Sequence, residues 1–315
     1  MLKLLLLSLL TLNIYALEEL KETDLSMAIQ NHQIEDARLL IKKGADINLA
    51  NSRGETPLLY AMRRGEFVFA QELMRDGADT SLVDIAGNST LSYAIKAHRE
   101  DIALRVLENP NFNIYQVFQS SVFQGRSDLY AKYIRESQAK WEDYTFLHMA
   151  ARHAQSRVVQ ALLDLGLRID TLTKGETLQL DAVGLAAWYG DKKTLEVLVE
   201  NGADVYRVYK NTRPEGHYGL YYMAGLSYSY TLLSLSINSQ HIDKESVEYI
   251  LSFKDAKKYA KLDSKYFYFN MLLLSEQSKK GSIYKRVLKI LDEWEYPQRE
   301  MIHKGYLLIK NRSKH

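Results

Sequence analysis

Residues 44–79 read GADINLANSRGETPLLYAMRRGEFVFAQELMRDGAD, and the fold is decided in this stretch. Gly44-Ala45-Asp46 returns as Gly77-Ala78-Asp79 after 33 residues, and the same interval separates Leu25, Leu58 and Leu91 and, independently, Ala28, Ala61 and Ala94. Three unrelated features with one period mean a stack of supersecondary units. In the first unit, residues 25–29 begin one helix and residues 37–43 complete a second, which Gly44 ends. Glycine suits the left-handed residue after a helix, where a Cβ would clash. In the next unit Thr56 is placed to cap a helix whose first turn takes Pro57, where no N–H is needed, and the small Ala61 faces a neighbouring helix closely.

Thr56-Pro57-Leu58, followed by Ala61, Gly65 and Gly77-Ala78-Asp79, resembles the ankyrin repeat, whose pattern reads T-P-L-H-x-A-A near its start. The pattern recurs. Residues 84–91 with Ala94 repeat it with Thr90 in the proline position, and residues 145–151 repeat it with the family histidine, His148, present. Ala186-Ala187-Trp188-Tyr189-Gly190 with Gly202-Ala203-Asp204 is a further copy. The resemblance implies an all-α ankyrin solenoid of about seven to eight helix-turn-helix units over residues 17–294. Three departures mark it. The finger before Phe118 is shortened and the unit over 116–138 is degenerate; Ala150 to Ala186 spans 36 residues; and Ala186 to Ser236 spans 50. That last interval holds a finger insertion over residues 206–230, YRVYKNTRPEGHYGLYYMAGLSYSY, dense in tyrosine and turned by Pro214-Glu215-Gly216, which reads as a hairpin or ordered loop. Residues 266–275 and 287–294 form a terminal helix pair, and residues 295–315 supply a capping helix and tail.

Composition narrows the function class. The 315 residues carry a net charge of +2, too small to argue for nucleic acid, and no cysteine, which removes disulfide scaffolds, thiol catalysis and cysteine-ligated zinc together. Met1-Leu2-Lys3 followed by the apolar run 4–12 reads as a secretory signal over residues 1–16, too short to span a bilayer, with Ala16 at the expected cleavage position. The expectation is an exported protein, periplasmic or secreted, of a Gram-negative bacterium, with no stable membrane anchor after cleavage.

The ankyrin resemblance also places variable positions around each small alanine of the first helices, on a concave face. Here they are Tyr60, Arg63, Arg64, Tyr93, Lys96, Met149, Arg152, His153, Trp188, Tyr189 and Asn238, a basic and aromatic surface. Tyrosine, tryptophan and arginine carry most of the binding energy in protein interfaces. The expected partner-binding set therefore joins Tyr60, Arg63, Arg64, Tyr93, Lys96, Arg152, His153, Trp188 and Tyr189 to Tyr209, Tyr218, Tyr221 and Tyr222 of the insertion. The reading is a monomeric, non-catalytic module that binds another protein with an acidic patch, in one version as an inhibitor or immunity protein, without cofactor or metal. Two other readings stand beside it: a cell-wall glycan site, since aromatic platforms also stack on sugars, and an enzyme built on the insertion, with His217 and Glu215 as its acid/base pair. Spacing speaks against catalysis elsewhere. His148 and His153 are five apart, off one helix face, and no Gly-rich phosphate loop, H-E-x-x-H or G-x-S-x-G is present. His148 instead sits where the family keeps a structural histidine, bonded near the helix start.

Overall fold

The computed structural model describes residues 24–51, 53–110, 112, 145–173, 179–210, 229–238, 243–260 and 281–293. The expected signal segment, the degenerate unit, the first half of the terminal helix pair, the C-terminal tail and the interior of the insertion, with His217, Glu215, Tyr218, Tyr221 and Tyr222, lie outside the described residues. Contacts divide the chain into two compact units, 1–142 and 143–315.

Among its described residues the first unit holds three helix pairs: α1 (Asp24–Gln30) with α2 (Ile34–Lys42), α3 (Pro57–Arg64) with α4 (Phe67–Arg75), and α5 (Thr90–Lys96) with α6 (Glu100–Leu107). Each first helix packs on the next first helix as well as on its own partner. The register of small residues is what permits it. Ala61 and Ala94 are wholly buried and Ala28 nearly so, and the leucines three positions before them, Leu25, Leu58 and Leu91, are buried beside them. Burying each leucine contributes roughly 1.5–3 kcal/mol.

The second unit repeats the arrangement with α7 (Phe146–Arg152) and α8 (Ser156–Asp164), α9 (Ala182–Tyr189) and α10 (Lys192–Glu200), and α11 (Leu232–Asn238) and α12 (Lys244–Leu251). Ala150, Ala186 and Ser236 occupy the small-residue position, all fully buried. Two two-residue strands, β1 (Tyr209–Lys210) and β2 (Ser229–Tyr230), pair antiparallel with Tyr209 opposite Tyr230, so the insertion leaves and rejoins the fold as a hairpin does. A short helix, α13 (Ala256–Ala260), follows α12. The amphipathic α14 (Gly281–Glu293) buries Val287, Leu288 and Leu291, and its Arg286 guanidinium lies 2.9 Å from a carboxylate oxygen of Glu248 on α12.

Helix ends follow from local chemistry. Thr56 accepts the Leu59 N–H at 3.3 Å with Pro57 at the first helical position, and Asp191 and Asp243 cap α10 and α12 by accepting N–H groups at 2.8 Å. A side-chain oxygen at this place satisfies one of the helix's unpaired donors. At the other end of α2, Gly44 takes φ 91°, and the Ala45 N–H closes back on the Leu40 carbonyl at 3.0 Å. That is the left-handed C-terminal turn which favours glycine.

Candidate functional site

In the first unit the expected surface residues form a polar lattice that repeats with the sequence. Asn51 accepts the Arg53 and Glu55 N–H groups at 2.9 and 3.0 Å and donates to the Glu55 carboxylate at 3.1 Å. Glu55, whose side chain is only 4 % exposed, is gripped by Arg63 through Nε on one oxygen and Nη2 on the other. Arg63 in turn lies over the Tyr60 ring, 4.8 Å from its centroid. Thirty-three residues on, Asp84 accepts the Ala86 and Asn88 N–H groups at 2.8 and 2.9 Å, the Tyr93 hydroxyl donates to it at 2.6 Å, and Lys96 donates to Asn88 at 2.7 Å. Each finger turn is thereby stapled to the helix that follows it.

This lattice changes the reading of four expected contact residues. Tyr60 is 2 % exposed, a core ring beneath Arg63 rather than a surface platform. Arg63 is committed to a buried carboxylate of its own chain, Tyr93 is half-buried on Asp84, and Lys96, though exposed, reaches Asn88. Burial and the neighbouring Asp84 carboxylate hold the Tyr93 phenol proton on well above its ordinary range. Arg64 is exposed and donates to His32 Nε2 at 3.0 Å, while His32 Nδ1 meets Glu66 at 2.5 Å. Asn51, Glu55, Asp84 and Asn88 escaped sequence reasoning, although the interval of 33 residues applied to polar side chains would have found them.

In the second unit the register brings residues of two adjacent helices together. Arg152, exposed at the end of α7, lies over the Tyr189 ring of α9 at 5.2 Å, and Trp188 and Tyr189 are half-buried. His153 ends α7 as its half-buried C-cap. This is a partly exposed guanidinium and aromatic cluster, the kind of surface that anchors interfaces.

Tyr209 does not join it. Its ring is 2 % exposed and packs against Gly184, and its hydroxyl donates to Asp181 at 2.7 Å. Burial pushes the Tyr209 phenol far up, reinforced by Asp181; burial also pushes the Asp181 carboxyl up, opposed by the Gly184 N–H, the Tyr209 hydroxyl and Arg207, whose guanidinium is 2.9 Å away. His148 is structural as its position implied: buried, it accepts the Thr145 N–H at 3.1 Å and donates to the Thr171 carbonyl at 2.9 Å. Among the described residues no three His, Asp or Glu side chains gather to hold a metal, and no helix is long and apolar enough to cross a membrane.

Comparison with known proteins bears on this arrangement. The family description of ankyrin repeats, in three copies, matches residues 25–116. No curated protein matches the sequence. Among chains of known structure that match, one belongs to the complex of the predatory endopeptidase Bd0816 of Bdellovibrio bacteriovorus with the immunity protein Bd3460. It shares 17 % identity at a TM-score of 0.48, over 74 % of this chain and 100 % of that one.

Proposed function

Residues 25–116 of this chain are ankyrin repeats, and from that premise we propose that the protein is a non-catalytic module that binds another protein. The observation that carries the choice of surface is the pairing of Arg152 with Tyr189 beside Trp188. Two consecutive first helices deliver Arg152 and Tyr189 to one place, partly in solvent, with no metal-ligating cluster among the described residues. Arginine and aromatic side chains carry much of the binding energy of interfaces, and a guanidinium suits a carboxylate-bearing partner. On this reading the partner's acidic patch meets Arg152.

The insertion is the second recognition element on this reading, mounted on the ladder of Tyr209 and Tyr230 and rich in tyrosine. Long loops on a rigid scaffold are usual carriers of binding. The apolar run at 4–12 motivates export and a periplasmic or secreted partner, and inhibition of an enzyme in that compartment is the concrete version.

The test is crosslinking capture from the periplasmic fraction, comparing the intact chain with one in which residues 211–228 give way to a two-residue turn that leaves both strands in place. One protein captured by the intact form and lost from the shortened one makes the insertion the recognition element. Equal capture puts the site on the Arg152 cluster. Capture of nothing by a folded, periplasmic protein sinks the reading and brings a cell-wall glycan forward as the ligand of the aromatic side chains.

A further inference from the structure

We propose that Tyr209 is a positioning residue that makes ordering of the finger base and capping of helix α9 a single event. At the third position of the first helices, a side chain usually reaches back to the residue that caps the helix. Ser92 accepts the Ser89 N–H at 2.9 Å, His148 the Thr145 N–H at 3.1 Å and Ser234 the Thr231 N–H at 2.9 Å. In α9 that position is Gly184, which has no side chain to reach with.

The space is taken instead by a residue from beyond the helix pair. A Cβ built on Gly184 would meet the Tyr209 ring carbon Cζ and its hydroxyl oxygen at 3.0 Å each, so glycine is what admits the ring. The Tyr209 hydroxyl then donates to the same Asp181 oxygen that accepts the Gly184 N–H at 2.9 Å. The cap is thus completed by a group 28 residues away, on the first strand of the finger base.

Two further contacts fix that base. Arg207 bridges the other Asp181 oxygen at 2.9 Å and the Asp170 carbonyl at 3.2 Å, and Tyr206 stacks on Tyr259 of α13 with centroids 4.3 Å apart. Tyr206, Arg207 and Tyr209 of one short strand approach are therefore held by three different parts of the fold. An interior glycine weakens a helix, and α9 carries Trp188 and Tyr189 at its far end. The finger base offsets that weakness, so the helix and the base of the insertion order together. The inference stands whatever the partner is, and its failure would leave the binding reading untouched.

Amide hydrogen exchange on the full chain tests it. Tyr209→Phe removes only the hydroxyl and keeps the ring against Gly184. The Gly184 amide and the amides of the two-strand ladder are expected to exchange about tenfold faster or more, by a common factor, as one cooperative opening requires. Faster exchange in the ladder with Gly184 unchanged, or no change in either, overturns the coupling. The double substitution Tyr209→Ala with Gly184→Ser removes the ring and restores the local reach-back seen at Ser92. It is expected to return protection to the amide at position 184 while the ladder stays unprotected. An amide at 184 that remains fast in the double variant also overturns the proposal.

Discussion

The Nε2–H of His148 donates to the carbonyl of Thr171, 23 residues downstream, at 2.9 Å, while Nδ1 accepts the Thr145 N–H. The Thr145 hydroxyl oxygen also lies 3.0 Å from Nδ1, and the arrangement suits the neutral ring, whose Nδ1 lone pair meets the Thr145 N–H. Burial lowers the His148 pKa below its ordinary value. The unfolded chain then binds the proton that the folded chain refuses. Stability from this group is fully present above the unfolded value of about 6.5 and is lost as pH falls toward and through the folded value. Thermal melts across pH 5 to 7.5 are expected to show the loss. In His148→Ser the pH slope should shrink, since serine at this position still completes the capping box, and the lost Thr171 bond should cost roughly 1–3 kcal/mol at neutral pH. An unchanged slope would remove His148 as its source.

Neighbouring arginines in α3 should behave in opposite ways. Arg63 neutralises Glu55, whose carboxylate is 4 % exposed, while Arg64 is exposed and donates to the exposed His32. Arg63→Ala strands a buried charge and is expected to cost roughly 1–3 kcal/mol, short of the loss from a fully buried pair because Arg63 keeps access to water. Arg64→Ala should stay within about 0.5 kcal/mol of the parent. Denaturant unfolding of both variants decides it, and equal losses would mean that the lattice around Glu55 contributes nothing particular.

A second contrast concerns the backbone. Ala154 follows α7 at φ 56°, where the matching residues after α3 and α9 are Gly65 at 81° and Gly190 at 71°. A Cβ in the left-handed region costs about 1–2 kcal/mol. Against that, glycine gives up about 0.5–1 kcal/mol of extra unfolded-state freedom. Ala154→Gly should therefore stabilise, by about 0.5–1 kcal/mol. Gly202, at φ 87° with no atom within 4 Å of a built Cβ, isolates the same term with the opposite sign. Gly202→Val should lose roughly 1–2 kcal/mol or more, from strain alone. Calorimetric melting of the pair must move in opposite directions if the φ values are right.

What the sequence revealed and what it hid divide along a physical line. The period of Leu25, Leu58 and Leu91, the cap at Thr56 and the glycine turn at Gly44 are local steric facts, written in a few adjacent residues. Exposure at Tyr60 is not local. It depends on Arg63 swinging over the ring to reach Glu55, which no hydrophobic pattern announces. The Asp181–Tyr209 bond was hidden more deeply, since its partners are 28 residues apart across an insertion. One trace of it remained: Gly184 in the first turn of an otherwise apolar helix, a residue type that weakens a helix unless packing offsets the cost.

The last prediction separates the two surfaces offered for binding. Arg152 and Tyr189 face one another at 5.2 Å, partly in solvent, and their mutual attraction contributes about 0.5–1 kcal/mol to the fold. Tyr189→Ala and Arg152→Ala should accordingly melt close to the parent protein. Residues of these types at the centre of an interface lose about 2 kcal/mol or more of binding when truncated, which is roughly thirtyfold in Kd. Capture of the partner should therefore fall steeply in both variants while the fold persists, and fall further with added salt if its contact with Arg152 is a carboxylate. Full capture by Tyr189→Ala, together with its loss on shortening residues 211–228, would place recognition wholly on the insertion and leave the Arg152 pair as a structural contact between α7 and α9.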